Sequence, residues 1–144
     1  MSLLGCPIED IDTPALVVDI ALMENNIRRM SEFFADKPAN LRPHTKTHKT
    51  PILAHKQIAA GARGVTCAKL GEAEIMAAAG IRDLLVANQV VGTLKIRRLV
   101  ALAHHCEIIV AADDAENVRA ISDAAVAVGV QVGMLVEVDV GMQR

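Results

Sequence analysis

The sequence predicts an α/β fold in which a parallel sheet is covered by helices. Strand-like and helix-like segments alternate along the chain, with about 20–25 residues per repeat. The strand-like segments are apolar on both faces, as in parallel sheets packed between helices. The composition, 52% hydrophobic and 22% charged residues, is that of a chain that can bury a core. Its 144 residues correspond to about one domain.

The first third of the chain contains two predicted strands and one predicted helix. Residues 15–19 follow Pro14 and form a short apolar segment typical of a strand. A helix follows, because apolar residues recur at helical spacing at Met23, Ile27, Met30 and Phe34. Residues 41–46 are the second predicted strand.

The middle third repeats the pattern twice, and glycines end its helices. The first helix spans residues 52–60 and is closed by Gly61, and a strand covers residues 64–68. The next helix, residues 72–79, is closed by Gly80, and residues 83–87 form a nearly pure apolar strand.

The last third supplies two more helices and two more strands. A helix over residues 94–103 has Thr93 as its predicted N-cap, and residues 107–111 form the next strand. Asp114 is the predicted cap of a helix that Gly129 closes. The apolar face of that helix consists of Val118, Ile121, Ala125 and Val128. The final predicted strand spans residues 132–140.

Two architectures fit this order: an open doubly wound sheet or a (β/α)8 barrel. The sequence contains neither GxGxxG nor GxxxxGK[ST], which weakens the nucleotide-binding interpretation of an open sheet. A complete barrel takes roughly 250 residues, so five or six βα units would make about two-thirds of one. The chain stops just after a predicted strand, and we therefore expect it to be part of a longer fold.

Charge and composition argue against several classes of partner. Fifteen Lys and Arg oppose seventeen Asp and Glu, and the chain has two Phe but no Tyr or Trp, so a nucleic-acid partner is not expected. No apolar run approaches the roughly 18 residues of a membrane span. The N-terminus lacks the basic start of a secretory signal. Cys6, Cys67 and Cys106 form no CxxC pattern, which predicts a cytoplasmic protein with Cys67 and Cys106 buried.

The segment RPHTKTHK, residues 42–49, is the densest cationic run. If it is extended, Arg42, His44, Lys46 and His48 share one face. Residues four apart in a strand lie roughly 13 Å from each other, which argues against a metal site on the two histidines. Burial and like charges both disfavour an ammonium ion, and a neutral lysine amine can form a Schiff base with a carbonyl. The alternative is a basic loop end in solvent.

The final strand carries two carboxylates that alternate with valines. Glu137 and Asp139 are expected to point into a polar barrel interior, because a helix-packed face seldom accepts charges. There they would meet Arg42, His44 and Lys46, either as an ion-pair layer or in a catalytic role. Arg144 is expected at the carboxyl end of the strand, where barrel active sites lie.

Four segments together resemble the D-threonine aldolase family and its near relative, the eukaryotic-type D-serine dehydratase family. Both are fold-type III, alanine-racemase-like pyridoxal phosphate enzymes. The segments are residues 13–19, 41–49, 61–67 and 136–144, and the motifs RPHTKTHK and VEVDVGMQR are the most specific of them. The resemblance implies a partial TIM-type barrel with about five or six βα units.

The resemblance also implies roles for particular residues. Lys46 matches the lysine that forms the internal aldimine with pyridoxal 5′-phosphate, and Arg144 matches an arginine near the cofactor's phenolic oxygen. His44 and Gln89 are implied as cofactor-binding residues, with His48 near the pocket. Lys69 is a rival lysine at a strand end. The implied reaction is retro-aldol cleavage of a β-hydroxy-D-amino acid to glycine and an aldehyde.

Further expectations concern what lies outside these residues. Residues 1–144 would form an incomplete barrel domain, with the rest of the barrel and a C-terminal β-domain absent. The divalent metal of the family (Mn, Mg or Zn) would have its ligands there, so no metal ligand is expected in this chain. Completion by a homodimer partner or by another chain is expected. The alternatives are a D-serine dehydratase or D-hydroxyaspartate lyase on the same scaffold, or a non-catalytic pyridoxal phosphate binder.

Overall fold

The computed structural model describes residues 4–143, and this part of the chain folds as alternating helices and parallel strands. After a 3₁₀ turn at Ile8–Asp10, the elements are α1 (Ile20–Phe34), α2 (Pro51–Ala59), β1 (Val65–Cys67), α3 (Leu70–Ala78), β2 (Asp83–Gln89), α4 (Thr93–Ala103), β3 (Glu107–Ala112), α5 (Ala115–Val128) and β4 (Gly133–Val136). The predicted α/β class is confirmed.

The sheet has its strands in sequence order, β1-β2-β3-β4, and all three pairings are parallel. An open doubly wound sheet would reverse its strand order at a switch point, whereas a barrel adds each strand beside the previous one. The described residues show no reversal. The architecture is therefore that of part of a (β/α)8 barrel.

The two faces of the sheet differ in what covers them. Val65, Leu84 and Ile108 occupy one register level and are buried against the helices. Because side chains alternate along a strand, the next level, with Thr66, Leu85 and Ile109, points to the opposite face, which corresponds to the barrel interior. Side chains on the same face as Thr66, at every second position of each strand, are thus the ones available to an interior site.

Residues 41–45 add a fifth parallel segment beside β1. Thr66 N–H donates to the carbonyl oxygen of Pro43, and Thr45 N–H donates to that of Thr66, each at 2.8 Å. A single bridge joins His44 to Thr66, and a turn occupies residues 45–48. The predicted strand over residues 41–46 is therefore too long, because the chain leaves the extended conformation after His44.

Helix ends follow the predicted capping at two places and depart from it at a third. Asp114 accepts a hydrogen bond from Asn117 N–H at 3.0 Å, and Gly129 closes α5 with φ 70°, as predicted. The predicted N-cap Thr93 is wrong, because Thr93 is the first residue of α4 and Gly92, with φ 91°, precedes it without a side-chain hydrogen bond. A glycine accepts this left-handed φ at no steric cost.

The predicted strands nearest the two ends are shorter or unpaired. Residues 15–19 form no helix and belong to no ladder among the described residues. The last strand ends at Val136 rather than residue 140, and the Asp139 carboxylate accepts N–H groups of Gly141 and Met142. Glu137 N–H still donates to the carbonyl oxygen of Ala112 at 2.9 Å, but no strand ladder within residues 4–143 continues beyond it or includes residues 15–19.

Two cysteine predictions are confirmed, since Cys67 and Cys106 are both buried. Burial also raises the pKa of the Cys67 thiol, which keeps it protonated. Among the described residues, no helix combines the length and the apolar character needed to cross a membrane.

Candidate functional site

The candidate residues lie where the parallel strands end, an edge called here the carboxyl edge. Lys46 follows the extended segment beside β1, Gln89 is the last residue of β2, and Glu137 follows β4. Because the strands are parallel, their carboxyl ends meet at one edge, where barrel enzymes present their active-site groups. Arg144 lies outside the described residues.

Lys46 is placed by a turn that begins directly after His44. Its backbone N–H donates to His44 Nδ1 at 3.2 Å, and Lys49 N–H closes the turn on the carbonyl oxygen of Thr45 at 2.8 Å. The turn breaks the expected alternation, so Arg42, His44, Lys46 and His48 do not share one strand face. The Lys46 side chain is exposed, and the expected burial is not provided by the described residues.

Thr45 anchors this turn and was not identified from the sequence. Its side chain is 1% exposed, and its hydroxyl donates to the carbonyl oxygen of Thr66 at 3.1 Å. The same hydroxyl lies 3.6 Å from the Cys67 sulfur. A threonine between two candidate polar residues gives no sequence signal of such burial; the neighbouring strand has to be in place first.

His44 is half-buried on the interior face beside Thr66. Burial and the nearby Lys46 ammonium lower the pKa of His44, and Glu72 on α3 and a backbone hydrogen bond to Thr66 partly oppose them. Because Nδ1 accepts the Lys46 N–H, the neutral ring carries its hydrogen on Nε2. The neutral side chain can therefore offer one N–H donor at the carboxyl edge.

His48 has a second polar atom in need of a partner. Its Nδ1 accepts the N–H of Thr50 at 3.1 Å, while its Nε2 is buried and bonds to no group among residues 4–143. Buried polar atoms are nearly always hydrogen-bonded in complete structures, so this donor is available to a group from elsewhere.

Gln89 is turned toward β4 by an irregularity at the end of β2. The register shifts between Val86 and Gln89, and Asn88 holds the irregular segment by bonding to the carbonyl oxygen of Ala68 and to Gln89 N–H. Gln89 Nε2 then donates to Glu137 Oε2 at 2.9 Å. Asn88 was missed from the sequence, although an Asn-Gln pair ending an apolar strand is a detectable signal.

The expected interior ion pairs between Arg42 and the carboxylates of the last strand are not formed. Arg42 instead pairs with Asp83 at the amino ends of the strands, with Nη2 3.2 Å from Oδ2. Arg63 donates to the same carboxylate at 3.1 Å. Arg42 lies two residues before His44 and so reaches the opposite end of the interior from Glu137.

Lys69 also lies at the carboxyl edge and so remains a geometric rival of Lys46. It precedes α3 and, together with Gln89, Lys95 and Arg98, lines a cleft of about 320 Å³. Exposure alone does not separate the two lysines, because both are exposed.

The donor set at the carboxyl edge suits an aldehyde cofactor that carries polar groups. Lys46 supplies a solvent-accessible primary amine, His44 supplies a ring N–H, and the buried Nε2 of His48 lacks a partner. The residues present therefore fit such a group. No cluster of three or more His, Cys, Asp or Glu side chains within residues 4–143 is placed to hold a metal ion.

Comparison with known proteins identifies the family of the chain. The model of the alanine racemase N-terminal domain family matches residues 18–144. The chain is 45% identical over 140 residues to a D-threonine aldolase of Arthrobacter sp., an alignment that covers 97% of this chain and 37% of the relative.

Solved structures of related enzymes superpose closely on this chain. The crystal structure of D-threonine aldolase from Filomicrobium marinum superposes with a TM-score of 0.92 at 42% identity, over 95% of this chain and 37% of that one. A mutant D-threo-3-hydroxyaspartate dehydratase in the metal-free form gives 0.83 at 33% identity, over 94% and 36%. The chain thus spans little more than a third of the length of these relatives.

The family match covers most of the chain, and the superpositions extend it to the whole described sheet. The chain belongs to the alanine racemase N-terminal domain family.

Proposed function

We propose that this chain forms the N-terminal part of the barrel domain of a pyridoxal-phosphate-dependent lyase that cleaves β-hydroxy-D-amino acids, in the manner of a D-threonine aldolase. The observation that carries the proposal is an accessible lysine amine at the carboxyl edge of a sheet of this family. The similarity to a D-threonine aldolase supports the choice of reaction.

In this proposal each candidate residue has a distinct task. Lys46 holds the cofactor covalently through its amine, and His44, Gln89 and Arg144 bind polar groups of the cofactor around it. Bound pyridoxal phosphate supplies an electron sink for the bond that breaks at Cα. Glu137 keeps the Gln89 amide oriented through their 2.9 Å hydrogen bond.

A divalent metal (Mn, Mg or Zn) belongs to the proposal as a Lewis acid for the substrate's β-hydroxyl group, with ligands outside this chain. The related D-threo-3-hydroxyaspartate dehydratase has been solved in a metal-free form, which supports a metal in that protein.

The proposal also includes the surroundings of the domain. Residues 1–144 would be an incomplete barrel domain, completed by a homodimer partner or by another chain. The partner molecules would be small D-amino acids, with no nucleic acid and no membrane, and the location would be cytoplasmic.

The reaction can be tested in the protein that carries this chain. With D-threonine, pyridoxal phosphate and Mn²⁺, we expect release of acetaldehyde and glycine in equal amounts. Lys46→Ala should abolish release, whereas Lys69→Ala should retain it, and chelation of the metal should lower it reversibly. Full activity of Lys46→Ala would contradict the proposal.

A second candidate is a dehydratase on the same scaffold, favoured by the similarity to D-threo-3-hydroxyaspartate dehydratase. It would release a keto acid and ammonia instead of an aldehyde and glycine. A third is a pyridoxal phosphate binder without turnover, which would bind the cofactor at Lys46 and release neither pair of products. Product analysis separates the three.

A further inference from the structure

The backbone of Lys46 is held by the imidazole two residues before it. Lys46 N–H donates to His44 Nδ1 at 3.2 Å. An N–H group that bonds to the side chain two residues earlier is the arrangement of an Asx turn, which Asn and Asp form most often. Here histidine takes that place. The bond therefore exists only while His44 is neutral, because protonation occupies the Nδ1 lone pair.

The surroundings of His44 keep the ring in its neutral form. The ring is half-buried, and the charged groups that face it are Lys46 on the same segment and Glu72 on α3. Burial and the Lys46 ammonium lower the pKa of His44, and these effects exceed those of Glu72 and of the backbone hydrogen bond to Thr66, which raise it. Above neutral pH the imidazole is thus available as an acceptor.

The rest of the turn does not depend on this histidine. Thr45 is held by its own hydroxyl and N–H on the carbonyl oxygen of Thr66, and Lys49 N–H bonds to the carbonyl oxygen of Thr45. None of these groups titrates near neutral pH. Loss of the His44 acceptor would therefore free the Lys46 amide and leave the flanking backbone in place.

We propose that His44 is a positioning residue for Lys46: the neutral imidazole fixes the backbone of the lysine at the carboxyl edge, and protonation of His44 releases it. The inference rests on the proposed function in one respect, namely that Lys46 is the amine that reacts with pyridoxal phosphate. In that reaction the ε-amine and the aldehyde condense and release one water molecule.

A first experiment needs no cofactor. Nitrogen-15 NMR of the histidine rings across pH 5–8 should show neutral His44 with its hydrogen on Nε2 and a midpoint below the ordinary value of about 6.5. The Lys46 amide resonance should shift with the same midpoint. His55→Gln removes an exposed imidazole on α2 that contacts Ala79, and it should leave both titrations unchanged. The inference would be overturned if the neutral His44 ring carried its hydrogen on Nδ1. It would also be overturned if the Lys46 amide resonance did not shift as His44 titrates.

A second experiment follows the rate of pyridoxal phosphate attachment at Lys46 against pH. His44→Ala should slow attachment at least about fivefold at pH 8, because it removes the hydrogen bond to the Lys46 amide and the ring's contact with the cofactor. Both variants lack the imidazole's proposed contact with the cofactor, so the comparison between them isolates the acceptor. His44→Asn restores a side-chain acceptor that does not titrate, so it should attach the cofactor faster than His44→Ala, and its rate should show no change in slope near the His44 midpoint. Equal rates for the Ala and Asn variants would refute a role as acceptor.

The two experiments separate this inference from the proposed function. Attachment of the cofactor to a lysine other than Lys46 would defeat the proposed function. The ring and amide titrations would still decide whether His44 holds the Lys46 backbone.

Discussion

Gly64 allows Arg42 and Asp83 to meet across β1. The three residues share one register level, and a Cβ on Gly64 would lie 2.8 Å from Arg42 Nη1 and would collide with the Asp83 carbonyl oxygen. Arg42 and Asp83 are both largely buried, so neither can move away without leaving a charge unpaired. A glycine is therefore required at this level of the sheet.

Gly64→Ala should lower the free energy of unfolding by about 2 kcal/mol, the cost of overpacking a closed site. Gly71→Ala is the matched control, because a Cβ there would lie 3.9 Å from Arg98 Nη2, an ordinary contact, and alanine favours the helix. Urea unfolding of both variants measures the difference. Equal stabilities would contradict the packing at β1.

At the residue scale the sequence predicted candidate site residues but not the residues that hold them in place. Lys46, His44 and Gln89 were predicted as site residues from the resemblance, and the structure has them at the carboxyl edge, while their roles remain predictions. Thr45 and Asn88 were missed, because their roles depend on carbonyl oxygens of β1 and its connection to α3, supplied by a strand distant in sequence. Hydrogen bonds of this kind require the assembled sheet.

Among the elements, helices were easier to predict than strand ends. Apolar spacing and closing glycines are local signals, and α2, α3 and α5 begin and end within a few residues of their predicted bounds. Strand length depends on which neighbouring strand is present. Residues 15–19 pair with no strand among the described residues, and of residues 132–140 only Gly133–Val136 form a strand.

The two predicted helix caps give a direct comparison. Asp114→Ala should destabilise the protein by about 1 kcal/mol, because the carboxylate bonds to Asn117 N–H at the start of α5. Thr93→Ala should change stability by only a few tenths of a kcal/mol, because Thr93 makes no capping hydrogen bond at α4. Thermal unfolding distinguishes them, and a larger loss for Thr93→Ala would restore Thr93 as the cap.

A salt bridge between α3 and α4 predicts a pH dependence. Arg98 donates to Glu74, with Nε 2.7 Å from Oε1, and this hydrogen bond lowers the pKa of the Glu74 carboxyl. The lowered pKa means that the stabilisation is complete above the ordinary glutamate pKa and is lost as pH falls through the folded-state value.

Glu74→Gln should therefore reduce how much stability the protein loses at acid pH. Above about pH 5, the dependence of stability on pH should change little. Urea midpoints measured from pH 2.5 to 7 check this. Glu32→Gln, which removes the exposed pair with Arg28, is the control and should leave the acid limb unchanged. If Glu74→Gln loses as much stability at acid pH as the wild type, the assignment of this loss to the salt bridge is refuted.

At the scale of the molecule, apolar side chains are exposed in two segments of the chain, one before α1 and one at and after β4. The exposed apolar residues there include Leu16, Val17, Val18, Leu135, Val136 and Val140. Contiguous exposed apolar surface and open strand edges favour association. The isolated 144-residue chain should therefore sediment above its monomer mass of 15.3 kDa. Val136→Lys together with Val140→Lys should shift it toward the monomer, and a monodisperse wild-type monomer would contradict this expectation.

The central claim is that Lys46 is the amine to which pyridoxal phosphate attaches. Reduction of the loaded protein with borohydride, followed by peptide mass spectrometry, identifies the labelled lysine directly. We predict the label on Lys46 and its disappearance in Lys46→Ala. A label on Lys69, or on any other lysine, would contradict the account.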